Sequence, residues 1–137
     1  MITFKVLRDA NRARLPEFKN AHGVFAHDPD QPNRALVDGS DWSPAQWLQA
    51  LVGELGEYAN LRKKWERGDI THAQFYAAAS DELADVATYL DILADRLNID
   101  LGAAVVSKFN RISVRAGSTV FIGMDGEVFR KLGSKAE

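Results

Sequence analysis

Glu54 and Glu57, and again Glu82 and Asp85, are pairs of carboxylates set three residues apart, the spacing that makes neighbours on one helical face. If residues 44–67 and 72–97 form antiparallel helices, Glu57 stands level with Glu82 and Glu54 level with Asp85, because both pairs have their midpoint between Asp69 and Ile70. At about 100° per residue, Glu54 and Glu57 lie roughly 80° and 140° to one side of their apolar stripe, and Glu82 and Asp85 roughly 70° and 130° to the same rotational side. In an antiparallel pair, equal rotational sense brings both pairs of acids to the same side of the hairpin. Four carboxylates gathered there repel one another and raise one another's pKa unless a cation sits among them. An all-oxygen donor set without His or Cys suits Mg²⁺, or Mn²⁺ in its place, and such an ion keeps positions for water and substrate phosphates. Solvated acids flanking an apolar stripe are the simpler reading of either pair alone; the match in height and azimuth between two pairs favours the metal.

The elements that must position these acids carry strong local signals. Ser43-Pro44-Ala45-Gln46 combines an N-cap, a proline at the first helical position and a capping-box glutamine. From there Trp47, Leu48, Leu51, Val52, Leu55, Tyr58, Ala59 and Trp65 keep a helical stripe until Gly68. Gly53 and Gly56 interrupt it at about 1 kcal/mol each relative to Ala, so a packing reason is expected for both. Thr71-His72-Ala73-Gln74 repeats the capping box, and Phe75 to Leu97 carries a second long amphipathic helix. A first helix is expected from residue 3 to about 20, with Phe4, Leu7, Leu15 and Phe18 on one face beside Asn11 and Arg14, and with Pro16 kinking or ending it. Residues 21–41 read as a long surface loop. Asp100 can cap a fourth helix over Leu101 to Ala116, closed by Gly117, and residues 118–131 around Asp125-Gly126 read as a β-hairpin that must pack on the helices or on another subunit.

On the fourth helix Lys108, Arg111 and Arg115 form a row of cations beside Leu101, Val105, Phe109 and Ile112. A basic strip is ordinarily solvated, but next to a metal site it suits a polyphosphate. Arg62 falls near the centre of an apolar stripe and is expected to find a buried anion or a subunit contact. Trp42 and Trp47 could stack on a base and Asn11 could read its edge, with core packing the commoner role for a tryptophan taken singly. His22, His27 and His72 form no ligand spacing, and neither a Ser-His-Asp arrangement nor a glycine-rich phosphate loop occurs.

With 137 residues, 46% hydrophobic and 26% charged, the chain has the composition of one globular domain. No apolar run reaches the roughly 20 residues of a membrane helix. A net charge of −2 gives no global attraction to a nucleic acid polymer or an anionic membrane. The absence of cysteine excludes disulfides and thiolate ligands, and without a secretory pattern at the start a cytoplasmic location is expected.

The strings GELGEYANLRKKWERG and DELADVATYLDILADRLNIDLGAAVVSKFNRISVRAG resemble the MazG-like branch of the all-α nucleoside triphosphate pyrophosphohydrolases. The resemblance covers residues 42–117 well and Asn11 to Arg14 more loosely. The family's ExxE and ExxD elements are matched by Glu54, Glu57, Glu82 and Asp85; Gly53 stands where many members carry a further Glu, so one ligand or base of that pattern is missing. KFNRISVR resembles the family's phosphate and nucleotide element, which implies roles for Lys108, Asn110 and Arg115. The resemblance implies an all-α, four-helix bundle-type fold, here with a short C-terminal β-hairpin. It also implies Mg²⁺-dependent hydrolysis of a nucleoside triphosphate to monophosphate and pyrophosphate by a homodimer or homotetramer, a house-cleaning activity on nucleotide pools.

On this reading Glu54, Glu57, Glu82 and Asp85 hold the metal, and Glu57 takes a proton from water. Lys108 and Arg115 neutralise the leaving pyrophosphate, while Asn11, Arg14, Trp42, Asn110 and Arg111 join them in binding substrate. A non-catalytic helical interaction module shares the periodicities and is the alternative. A carboxylate-bridged di-iron bundle ranks last, because the histidines it ordinarily places at i+3 are absent.

Overall fold

The computed structural model describes residues 2–15 and 42–131. The loop expected at 21–41, Pro16 and Phe18 lie outside the described residues. Four helices, α1 (Phe4–Arg14), α2 (Pro44–Glu66), α3 (His72–Arg96) and α4 (Leu101–Arg115), are followed by strands β1 (Val120–Ile122) and β2 (Val128–Arg130). The fold is all-α with one short antiparallel hairpin. No helix among the described residues is long and apolar enough to cross a membrane. The chain divides into two compact units, Met1–Asn98 and Ile99–Glu137.

In the first unit, both capping boxes form. The Ser43 side chain accepts from Gln46 N while Gln46 Oε1 accepts from Ser43 N at 2.9 Å, and Thr71 and Gln74 do the same at the start of α3. Each box satisfies two helix-end donors, so the helix starts are set by local chemistry. At the end of α2 the chain turns through Gly68 at φ +79°, and Asp69 N donates to Lys64 O at 2.9 Å. That left-handed residue ends α2 and sends α3 back along it. The two helices pack along their length, and near the turn Trp65 stacks on Phe75 at 5.0 Å and 13°.

The buried cluster of this unit is Leu15, Trp47 and Ile92, with Trp42, Tyr89 and Leu93 against it. α1 packs on α3 and is tied there by charge as well as by Leu15. Asp91, 1% exposed, accepts from Arg8 Nε at 3.0 Å and from Asn11 Nδ2 at 3.0 Å. Asp95, one turn on, accepts from Arg12 Nη2 at 2.6 Å and Arg8 Nη1 at 3.2 Å. A buried carboxylate is tolerated only when its lone pairs are met in this way.

Much apolar surface stays open. Tyr76, Leu83, Leu90 and Leu97, which recur at heptad spacing on α3, are all exposed, as are Leu48, Val52 and Leu55 on α2. A β-carbon added at Gly53 or Gly56 would meet nothing within 4 Å. The packing reason expected for these glycines is therefore not found within the described chain.

In the second unit, Asp100 caps α4 by accepting from Ala103 N at 2.9 Å, and Gly117 at φ +65° ends it, with Ser118 N donating to Ser113 O. The hairpin pairs Val120 with Arg130, Phe121 with Phe129 and Ile122 with Val128. Its turn is closed by Gly126 N donating to Gly123 O at 3.0 Å, and Gly126 takes φ +83°. Phe121 is buried, while all three residues of β2 are exposed. The hairpin docks on α4: Asn110 Nδ2 donates to Ile122 O at 2.8 Å and Ile122 N donates to Asn110 Oδ1 at 2.9 Å.

Candidate functional site

The antiparallel register of α2 and α3 converts sequence spacing into a cluster of acids. Glu54, Glu82 and Asp85 each offer a carboxylate oxygen, and the three atoms lie within 4.8 Å of one another. Glu54 and Glu82 are half-buried and Asp85 is exposed. The carboxyl of Glu54 is pushed up from its ordinary value, first by burial, then by the charges of Asp85 and Glu57 and by its hydrogen bond and charge interaction with Glu82. Glu57 is exposed and lies outside this trio, although its charge is felt at Glu54. Three hard oxygen donors with a strained ionisation, and neither His nor Cys in the group, fit a divalent cation that prefers oxygen.

Three aromatic rings cluster in the same unit as the acids. Trp47 is 5.9 Å from Tyr89 and 4.9 Å from Trp42, centroid to centroid. The Tyr89 phenol is pushed up by burial first, then by the charges of Glu54 and Asp85, with Arg14 acting in the opposite sense. These effects set Tyr89 within electrostatic reach of two of the three acids and of Arg14. Neither indole N–H, of Trp42 or of Trp47, finds an acceptor among the described residues. A cavity of about 330 Å³ lies against Trp42, Gln46, Gln49 and Ala50. Tyr89 was not singled out in the sequence, although its place one helical turn beyond Asp85 is the signal that would have found it.

Asn11, expected to read a base edge, is 3% exposed and commits its amide N–H to Asp91. Its position on the apolar face reflects the buried contact between α1 and α3 rather than an open polar edge. Arg62 is likewise not buried against an anion from elsewhere. It is exposed and pairs with Glu66 one turn along its own helix, Nε to Oε1 at 2.8 Å. A long side chain can leave an apolar stripe for solvent in this way.

In the second unit, Lys108, Arg111 and Arg115 face a groove of about 660 Å³ whose remaining walls are Asn110, Val114, Phe121, Phe129 and Lys131. Among the described residues no carboxylate lines it. Asn110, which the resemblance placed with the phosphate element, has its amide oxygen and one N–H engaged by Ile122 and acts here as the anchor of the hairpin.

Comparison with known proteins adds to this geometry. The chain is 40% identical over 105 residues to dCTP pyrophosphatase 1 of Mus musculus, of Rattus norvegicus and of Homo sapiens. Over those residues the chain is similar to these pyrophosphatases. Each alignment takes in 70% of this chain and 55% of the relative, so the chain spans about half the length of the curated relatives it matches. No protein-family model matches the chain. The described helical region is all-α, as the resemblance implied, and its central helices α2 and α3 both bring acids to one point.

Proposed function

We propose that this chain hydrolyses a nucleoside or deoxynucleoside triphosphate to the monophosphate and pyrophosphate, with Mg²⁺ as the metal and Mn²⁺ able to replace it. The observation that carries the reading is the meeting of Glu54, Glu82 and Asp85 within 4.8 Å, in a chain whose relatives are named dCTP pyrophosphatase. Those names make deoxycytidine triphosphate the first substrate to try, and removal of unwanted nucleotides from the pool the role.

Glu54, Glu82 and Asp85 hold the cation through oxygen. When bound, Mg²⁺ supplies charge that polarises phosphoryl oxygens and makes water more acidic. Glu57, outside the trio but near enough to influence Glu54, accepts the proton of the attacking water. Lys108 and Arg115, with Arg111, neutralise the phosphate chain and the charge that develops on the leaving pyrophosphate, the largest demand in phosphoryl transfer. Trp42 offers an apolar ring to the substrate, and Arg14 adds positive charge beside Tyr89.

We assign the exposed heptad row Tyr76, Leu83, Leu90 and Leu97, together with Leu48, Val52 and Leu55, to contact with further copies of the chain, as a homodimer or homotetramer in the cytoplasm. Neither a nucleic acid polymer nor a membrane enters the reading.

The test is incubation of the full chain with a panel of ribo- and deoxyribonucleoside triphosphates and Mg²⁺, separating pyrophosphate from orthophosphate. Pyrophosphate with a ranked preference supports the reading. Orthophosphate alone, or no turnover together with a melting temperature indifferent to Mg²⁺, overturns it.

A further inference from the structure

The C-terminal hairpin has no part in the acidic cluster, yet it shapes the groove on α4. Three cations come from one face of α4, Lys108, Arg111 and Arg115, and a fourth, Lys131, comes from the end of β2. Among the described residues none of the four is held in an ion pair: Arg111 meets only the Ser107 hydroxyl, at 3.3 Å, and the Lys131 ammonium lies 4.6 Å from the centroid of the Phe121 ring. A concave surface with four cations, and no acid among its described lining residues, concentrates positive potential and selects a polyanion.

The hairpin adds a second kind of recognition. Phe121 is buried and covered by Lys131, whereas Phe129, stacked on it at 5.8 Å and 25°, keeps 42% of its surface exposed. An exposed ring beside a row of cations matches a ligand that carries both a flat ring and a phosphate chain. The Asn110 amide fixes this wall, because it engages both backbone groups of Ile122, on the strand paired with β2. Cross-strand pairing then sets Phe129 opposite Phe121, and Lys131 N donates to Thr119 O at 2.9 Å.

We propose that the hairpin is one wall of a nucleotide-phosphate groove in the unit Ile99–Glu137, with Lys131 as its fourth cation and Phe129 as the platform for the base. The proposal rests on the nucleotide reading above for the identity of the ligand. Charge and ring exposure carry the groove itself.

The test is calorimetric titration of the full chain in EDTA with inorganic triphosphate and, separately, with deoxycytidine triphosphate. Wild type binds both, and the nucleotide more tightly. Lys131→Glu weakens both by about tenfold or more, as loss of a charge-assisted contact does, and Lys131→Arg restores binding. Phe129→Ala weakens the nucleotide by about fivefold and leaves inorganic triphosphate unchanged, as loss of a stacking surface does. Melting curves and circular dichroism establish that each variant is folded. Wild-type affinity in both Lys131→Glu and Phe129→Ala overturns the proposal, even where hydrolysis with Mg²⁺ proceeds. A change of molecular mass by light scattering in either variant overturns it too, since the wall is then an interface between copies. Binding that follows this pattern in a chain that hydrolyses nothing with Mg²⁺ supports the groove and removes the pyrophosphohydrolase reading instead.

Discussion

Glu54 on α2 and Asp85 on α3 bring carboxylate oxygens to within 4.8 Å of each other, with Glu82 completing the group, because the turn through Gly68 sets the two helices in antiparallel register. The contact is electrostatically unfavourable without a cation, and Glu54 records it. Its carboxyl is raised by burial, then by Asp85 and Glu57 and by the hydrogen bond and charge of Glu82.

A raised carboxyl gives the metal-free protein a defined dependence on pH. The folded state holds this proton more tightly than the unfolded state, so the contribution to stability is present below the ordinary value of 4.5 and is lost as pH rises through the raised value. In EDTA the melting temperature should therefore carry a component that falls as pH rises from about 4. Glu54→Gln should remove that component, and excess Mg²⁺ should reverse it in wild type by favouring the ionised form. Thermal scans with and without Mg²⁺ check both statements.

Glu57 lies outside the trio whose oxygens meet within 4.8 Å, which predicts a different phenotype from that of the ligands. Glu57→Gln should lower turnover by about 10² to 10⁴ while preserving the rise in melting temperature on adding Mg²⁺. Asp85→Asn should diminish both, because it removes an oxygen from the group that meets the cation. Loss of the Mg²⁺-dependent thermal shift in Glu57→Gln would instead place Glu57 among the ligands.

The elements legible in the sequence were those governed by local rules. Ser43 with Gln46 and Thr71 with Gln74 specify helix starts by hydrogen bonds across three residues, and Gly68, Gly117 and Gly126 sit where positive φ is needed. The meeting of Glu54, Glu82 and Asp85 was legible for a related reason, since two straight rods joined by a short turn have a register that spacing alone can predict; Glu57, placed with them by the same spacing, falls outside the group. Contacts between distant segments were not. Asn11 meets Asp91, and Arg12 meets Asp95, across a separation that includes the whole of α2, and no periodicity marks such a pair. Asn110 shows the same limit at shorter range: an amide that matches a phosphate motif is used to hold a strand.

Acid should loosen α1 from α3. The Asp95 carboxyl is held below its ordinary range, first by its hydrogen bond from Arg12, then by the charges of Arg12, Arg8 and Arg96, against the opposing effect of burial. A lowered carboxyl contributes stability above the ordinary value of 3.8 and loses it as pH falls through the lowered one. Asp95→Asn should flatten the acid limb of a stability curve measured by denaturant titration, with little change near the limb that Glu54 controls.

Asp91 tests the buried half of the same contact. At 1% exposure it accepts from both Arg8 and Asn11, so Asp91→Ala leaves a largely buried guanidinium and a buried amide without that partner. Breaking a buried pair from one side costs about 3–5 kcal/mol, and unfolding in urea should show a loss of that order. Asn11→Ala removes one neutral donor to Asp91 and should cost less, about 1–3 kcal/mol.

Gly56 distinguishes a monomer from an assembly. It lies inside α2, beside the exposed Leu55 and one turn from Val52, and a β-carbon there would meet nothing within 4 Å in the described chain. In a monomer Gly56→Ala should therefore stabilise the helix by about 1 kcal/mol, the difference in helix propensity. If a second copy packs closely on this face, the added methyl group meets it, and the variant should lose stability and shift toward lower mass at a given concentration. The assembly reading expects the second result. Light scattering and thermal unfolding of Gly56→Ala over a range of concentrations should show a midpoint below that of wild type and more dependent on dilution.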